Sequence, residues 1–492
     1  MKHSLFHHKA GILLPVSALP SRYGIGSLGE QAYRFVDFLA ETGHHYWQVL
    51  PLHPTAYGDS PYQTPSSMAG NPYFIDLPYL VRFGLLTQKE LSEHIDTSQK
   101  IDYGRLFERR FPLLRLAHSR FVKERSFARF AKKNEHWLFP YALFMALKVH
   151  YRFAPWTMWE KEHGEYASAL RHKDEFEEEM SFWMFTQYCF FHQWKALCDY
   201  AHNRGIAIIG DMPIYVAHDS VEVYSSPEYF SLKDDGMPSV VAGCPPDAFS
   251  PSGQLWGNPV YRWEALQEDN FSWWCTRFAQ AFSLYDVLRI DHFRGFAGYY
   301  GIPYGERDAM GGTWYKASGM ALFDTVRERF PKAKWIAEDL GHITQDVREL
   351  LEHTGFSGMK VLQFAFDTPE SEHLPRKFES SNCVVYTGSH DSPCTASWLR
   401  SLSAEQKARF DKECPHTKGQ NRVYDLIEFA LGSPATLTII PMQDYLCLTD
   451  EEGRMNTPST SVGNWTYRLS PRYNTKFLRD KIRLLLQRTN RI

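Results

Sequence analysis

DVLRIDHFRG from Asp286 to Gly295, KWIAEDLG from Lys334 to Gly341 and CVVYTGSHD from Cys383 to Asp391 share one design: an apolar run that ends on a carboxylate. Val287–Ile290, Trp335–Ala337 and Val384–Tyr386 read as short strands buried on both faces, because parallel strands carry continuous rather than alternating apolar residues. An acid just beyond such a run projects from the carboxyl end of its strand, which is the functional face of a (β/α)8 barrel. Asp291, Glu338 and Asp391 are therefore expected to converge on one cleft. Carboxylates paired in a cleft are the equipment for glycosidic bond cleavage.

Working outward, eight strands are expected: Ile12–Val16, Tyr46–Leu50, Ile206–Asp211, Asp286–Asp291, Lys334–Glu338, Met359–Phe364, Val384–Thr387 and Leu437–Pro441. Helical patterns intervene. Gln31–Thr42 is amphipathic and stops at Gly43, Ser181–Arg204 is aromatic-rich and stops at Gly205, and Thr344 can cap a helix through His353 with Gly355 beyond. Alternation of strands and helices implies a parallel sheet. The expected architecture is α/β, a single (β/α)8 barrel over 1–492. Two gaps exceed ordinary loops, and within them a mainly helical inserted subdomain (76–180) and an insertion carrying an active-site loop (212–285) are expected on the catalytic face. Helical segments such as Leu106–Glu124 and Tyr141–Val149 fall in the first gap. No strand-rich extension follows the eighth strand.

Composition narrows the function classes. Hydrophobic residues make up 43% and charged residues 23%, ordinary for a globular chain, and a net charge of -3 gives no electrostatic case for nucleic acid or an anionic membrane. Aromatics reach 15%, which suits a large core and, near a cleft, platforms for sugar rings. The eight cysteines contain no CxxC pair and read as reduced core residues of a cytoplasmic protein. Gly11–Leu19 is short, contains Pro15 and lacks a cleavage site, so it reads as a first strand rather than a signal segment. No run approaches the ~18–20 apolar residues that span a bilayer. The histidines outside the three acidic segments, including His7–His8 and His44–His45, show no metal-ligand pattern, so no metal is expected.

The order and context of the three acids resemble the α-amylase clan of retaining glycosidases, and more closely its 4-α-glucanotransferase family, the amylomaltases or disproportionating enzymes. The resemblance covers most of the chain: GILLPVSALPSRYGIGSLG (Gly11–Gly29), PLHPTAYGDSPYQTPSSMAGNPY (Pro51–Tyr73), GDMPIYVAHDSVEVY (Gly210–Tyr224), GQLWGNPVYRW (Gly253–Trp263), the three acidic segments, and NTPSTSVGNWTYRL (Asn456–Leu469). It implies Asp291 as nucleophile, Glu338 as general acid/base and Asp391 as the acid that holds the hydroxyls of the reacting sugar, with His390 beside it. It implies Tyr62, Asp211, Trp256, Asn258 and His292 at the sugar sites. Asp211 opens a DxPIYV segment where amylases have Asp-x-x-x-Asn-His; Tyr215 and Val216 stand in the last two places, which favours transfer over hydrolysis. The family lacks the C-terminal β-sandwich of the clan.

Arg289 lies two residues before Asp291, so on a strand both side chains face one way. A guanidinium there would aim the carboxylate and pair with its charge. From spacing alone, a structural Arg–Asp pair and a catalytic one fit equally. Glu338 has to be protonated when the leaving oxygen departs, so burial or nearby carboxylates should raise its pKa, while Asp339 should point away. One departure stands out. The family continues the His-Asp pair with Asn-Asp-Thr or a near relative, whereas this chain has Ser392, Pro393 and Cys394 before Thr395. Implied are an α-1,4-glucan donor, a sugar acceptor and no cofactor. An amylase-type hydrolase with the same acids, and a non-catalytic glucan-binding relative, are the alternatives.

Overall fold

The computed structural model describes residues 6–246, 250–460 and 462–492. The chain ends at 1–5, part of the 212–285 segment (247–249) and Ser461 of the Asn456–Leu469 motif lie outside the described residues. Eight parallel strands close into a barrel: Lys9–Leu13, Tyr46–Gln48, Ala207–Pro213, Val287–Asp291, Lys334–Ala337, Ser357–Val361, Cys383–Tyr386 and Leu437–Pro441, the first pairing with the eighth. Their side chains are almost wholly buried; Val287, Leu288 and Ile290 have no exposure at all. Each such side chain contributes about 1.5–3 kcal/mol by leaving water, which is why a continuous apolar run stays on this sheet.

Most strand bounds shift by a residue or two, and the first and sixth strands depart furthest from expectation. The first strand begins at Lys9 and ends at Leu13, and the sixth covers Ser357–Val361. In both places the apolar run continues past the strand into a 3-10 turn, Val16–Ala18 and Leu362–Phe364, whose residues are also largely buried. Burial alone therefore overshoots the carboxyl end of a strand. Lys9, Ala10 and Gly11 are paired with Leu437, Thr438 and Ile439 although the segment opens on a polar residue.

Helix Glu30–Thr42 follows the first strand. It buries Phe35, Val36, Phe38 and Leu39 and ends at Gly43, whose φ of 89° is the left-handed cap that glycine adopts without a Cβ clash. Between the second and third strands come helices Tyr103–Ser119, Glu135–His150 and the 27-residue Glu177–Asn203, which leads back into the third strand. Beyond the third strand, Val240–Cys244 and Gln254–Pro259 join an antiparallel four-stranded sheet. Its other two strands, Gly298–Pro303 and Thr313–Lys316, come from the segment after the fourth barrel strand, outside 212–285. After Pro441 the elements of the described residues are helical: Met442–Tyr445, Asp450–Gly453 and Lys476–Arg488. No helix among the described residues is long and apolar enough to cross a membrane.

Candidate active site

Asp211 and Arg289 are in register on the adjacent third and fourth strands, so their side chains emerge on the same face. Gly210 sets the depth of that pair: a Cβ there would stand 2.1 Å from the Tyr285 ring, so only glycine lets the third strand pack on Tyr285. Arg289 Nη1 donates to Asp211 Oδ1 at 2.6 Å and Oδ2 at 2.7 Å, and to Asp291 Oδ1 at 2.9 Å. Arg289 and Asp211 are 3% and 0% exposed. Burial works against the guanidinium charge, but the carboxylates of Asp211 and Asp291 outweigh it and raise its pKa well above the ordinary arginine value. Burial also pushes the Asp211 carboxyl up, against the opposing pull of Arg289. Tyr62 Oη also donates to Asp211 Oδ2, at 2.9 Å, so that oxygen accepts from two donors.

Glu338 immediately follows the fifth strand. Its backbone N donates to Ile290 O at 3.0 Å, and Ile290 pairs with Ala337, so Asp291 and Glu338 leave neighbouring strands at the same level. Glu338 Oε2 accepts from the backbone N of His292 at 2.8 Å and Oε1 from that of Leu340 at 2.9 Å. His292 adopts φ 52°, a left-handed conformation rare outside glycine, in the turn that presents this N–H. Burial, followed by the charge of Asp291, raises the Glu338 pKa to about 8, against the pull of Arg289 and the two backbone donors. Asp339 does turn away, accepting from Met359 N at 2.6 Å. The His292 imidazole is held neutral by burial, its pKa lowered to about 3, and packs edge-on to Trp256 at 4.7 Å.

Asp391 lies in the loop after the seventh strand. His390 Nε2 is 3.3 Å from Asp391 Oδ2, and Asn456 Nδ2 donates to Oδ1 at 2.6 Å. Arg454 donates to the backbone oxygen of Asp391 at 2.9 Å. The Tyr62 ring stacks on His390 at 5.1 Å and meets Trp465 at 5.7 Å. Tyr62 thus joins two groups: its hydroxyl belongs to the Asp211–Arg289–Asp291 net and its ring to the His390–Asp391 side. Asn258 stands one step back. Its amide nitrogen donates to Val216 O at 2.8 Å and its oxygen accepts from Gln63, the neighbour of Tyr62.

Four residues of this surrounding were not singled out from sequence. Asn456 and Trp465 come from the final motif and Arg454 from just before it, where neither periodicity nor spacing distinguishes one loop residue from another. Glu222 is the fourth. It is buried, and its Oε1 accepts from Ser66 Oγ, Ser67 N and Ser67 Oγ, which pins the loop carrying Tyr62 and Gln63. An acid in an otherwise apolar VEVY helix was the signal available. At the departure from the family pattern, Ser392 Oγ accepts from Ser389 N at 2.9 Å, Pro393 O accepts from Gln363 Nε2 at 2.9 Å, and Cys394 N donates to Asp450 Oδ1 at 2.7 Å. These bonds shape the loop backbone and leave the Asp391 carboxylate to His390 and Asn456.

The arrangement can place one carboxylate beside a guanidinium and one raised carboxyl across from it, as a two-carboxyl displacement requires. A family model described as 4-alpha-glucanotransferase matches residues 14–474. The chain is 44% identical over 476 residues to the 4-alpha-glucanotransferase of Clostridium butyricum, covering 95% of this chain and 97% of that protein. It is 43% identical over 503 residues to that of Thermus thermophilus, covering 98% and 99%. The amylomaltase of Streptococcus agalactiae, solved with acarbose, superposes with a TM-score of 0.95 at 37% identity, covering 98% and 99% of the two chains.

Proposed function

The chain belongs to the 4-α-glucanotransferase family, and from that premise we propose that it transfers segments of α-1,4-glucan to the 4-hydroxyl of a sugar acceptor with retention of configuration. The observation that supports this best is the contrast between two carboxyl groups at the tips of adjacent strands. Asp291 is bonded to Arg289, while Glu338 sits beside it with its pKa raised to about 8. Near neutral pH, Glu338 carries the proton a leaving sugar needs.

In the first step an Asp291 oxygen attacks the anomeric carbon as Glu338 gives its proton to the glycosidic oxygen. The donor's reducing-end fragment leaves, and a glycosyl ester forms on Asp291. In the second step Glu338 takes the proton of the acceptor 4-hydroxyl, that oxygen attacks the anomeric carbon, and Asp291 is released. With Arg289 on Oδ1, Oδ2 is the oxygen available for attack. Asp391 and His390 hold hydroxyls of the reacting sugar, and the Tyr62 and Trp465 rings offer apolar faces to it. Asp211, through Tyr62 and Arg289, fixes both sides. Trp256, Asn258 and His292 shape the neighbouring subsites. The 76–180 and 212–285 segments act as inserted subdomains that bind acceptor and exclude water. We place the reaction in the cytoplasm, with glucans as the only partners proposed.

Incubation with pure maltotriose tests the transfer. Each transfer breaks one glycosidic bond and makes one, so glucose and longer maltodextrins should appear together while total reducing ends stay nearly constant. A rise in reducing ends equal to the glucose released, with no product longer than the substrate, would assign the same acids to a hydrolase.

A further inference from the structure

The helical segment between the second and third barrel strands brings together a set of metal-ligand types. His163 lies on the short helix Lys161–Gly164, His172 precedes the turn Lys173–Phe176, and Glu175 lies within it. One ligand atom from each of the three lies within 4.8 Å of the others. His172 Nδ1 and Glu175 Oε1 are 3.0 Å apart. The proposed reaction uses none of them.

His163 supplies a second, independent observation. Its side chain is buried, with a residue exposure of 5%. Nδ1 is 2.7 Å from Tyr151 Oη, but Nε2 has no hydrogen-bond partner among the described residues. A buried ring nitrogen without a partner costs about 1–3 kcal/mol of desolvation, and such orphans mark either strain or an unseen ligand. The tautomer with hydrogen on Nδ1, donating to Tyr151, leaves a lone pair on Nε2. This is the arrangement of a metal-bound histidine, whose second nitrogen is oriented by a hydrogen bond.

We propose that His163, His172 and Glu175 form a Zn2+ site that braces this helical segment. Two imidazoles and a carboxylate suit zinc, with ligand distances of about 2.0–2.2 Å and ligand–ligand edges of about 3.4 Å. His172 and Glu175 are partly or fully exposed and free to close the remaining gap. Water, or the His150 ring 5.9 Å from that of His163, completes a tetrahedron. The site connects to the barrel loops: Tyr224 Oη donates to His163 O at 2.6 Å, and Tyr224 shares its helix with Glu222, which pins the Ser66–Ser67 loop. This departs from the expectation of no metal, which covered these histidines too, because their spacing shows no metal-ligand pattern.

The test is competition for Zn2+ between the chelator-stripped full chain and a chromophoric chelator, with Co2+ as a spectroscopic substitute. Wild type should hold one more Zn2+ per chain than His163→Gln, His172→Gln or Glu175→Gln, with each variant weaker by about tenfold or more. Co2+ should give a visible d–d band in wild type that His172→Gln lacks, and Zn2+ should raise the melting temperature of wild type but not of His172→Gln. His172 and Glu175 are not core residues, so their variants carry the test if His163→Gln misfolds. Zinc binding and a Co2+ spectrum that are the same in His172→Gln and Glu175→Gln as in wild type would reduce the cluster to adventitious binding elsewhere on the chain. No stoichiometric uptake by wild type would equally overturn the proposal.

Discussion

Arg289 Nη1 stands 2.6 Å from Asp211 Oδ1 and also donates to Asp291 at 2.9 Å, so one buried guanidinium joins a fully buried acid to the acid that ends the fourth strand. The two acids do not have equal claims on it. Asp211 has no access to solvent and depends on Arg289 and Tyr62, whereas the Asp291 side chain is 28% exposed.

Replacing Arg289 should therefore damage the fold as well as catalysis. Arg289→Met leaves Asp211 as an uncompensated buried carboxylate, and removing one partner of a buried pair costs about 3–5 kcal/mol. Denaturant unfolding should show that loss. Asp211→Asn with Arg289→Met should recover part of it, because the stranded charge is gone. A single mutant as stable as wild type would mean that the Asp211 carboxyl carries no charge in the folded protein.

Asp291→Asn keeps the volume and can still accept from Arg289. Folding should survive while transfer falls by roughly 10⁴-fold or more, as expected when a nucleophile is removed. Chain-length analysis of maltotriose products would measure it. Activity within about tenfold of wild type would take the nucleophile role from Asp291.

Asn456 donates to Asp391 at 2.6 Å and so sets the orientation of the third acid. Asn456→Ala removes one charge-assisted bond of about 1.5–3 kcal/mol, which corresponds to roughly a ten- to hundredfold loss in kcat/KM. Asn456→Asp should be worse, because a second carboxylate would face Asp391. If both variants transfer at the wild-type rate, Asp391 is positioned by His390 alone.

The barrel was readable because a parallel strand buried on both faces leaves a continuous apolar run, and a carboxylate after such a run has little reason to be there except at the cleft. Val287–Asp291 and Lys334–Ala337 show this most clearly. What stayed hidden depends on contacts distant in sequence. The sheet that joins Val240–Cys244 to Gly298–Pro303 pairs segments across a barrel strand. Asn456 meets Asp391 across 65 positions, and Glu222 meets Ser67 across 155. His163, His172 and Glu175 are close in sequence, but their spacing follows no common ligand pattern and only the fold brings their atoms together. The Ser392–Cys394 departure was visible at once; that its bonds hold loop backbone rather than the Asp391 carboxylate was not. Restoring Asn at 392 and Asp at 393 should accordingly alter donor preference or rate by a small factor, measurable across several maltodextrin lengths.

Glu338 offers a test in which pH and chemistry can be separated. Its folded pKa is about 8, raised by burial and by Asp291 from an ordinary value of 4.5. The first step needs the protonated form, so kcat/KM for maltotriose should fall as pH rises through about 8, and the falling limb belongs to Glu338. Glu338→Gln cannot donate a proton and should show a low rate without that limb. A donor whose leaving group needs no proton, such as a maltosyl fluoride, should restore glycosylation in Glu338→Ala, while maltotriose should not react. Stability carries the same sign. Between 4.5 and 8 the folded state holds a proton that the unfolded state has released, so this residue's contribution is full below pH 4.5 and is lost as pH rises toward 8. Glu338→Gln is neutral at every pH and removes that loss, so its stability relative to wild type should rise from pH 4.5 to pH 8. A pH limb near 8 that persists unchanged in Glu338→Gln would assign the titrating group to another residue, and a fluoride donor that fails in Glu338→Ala would show that Glu338 does more in the first step than give a proton.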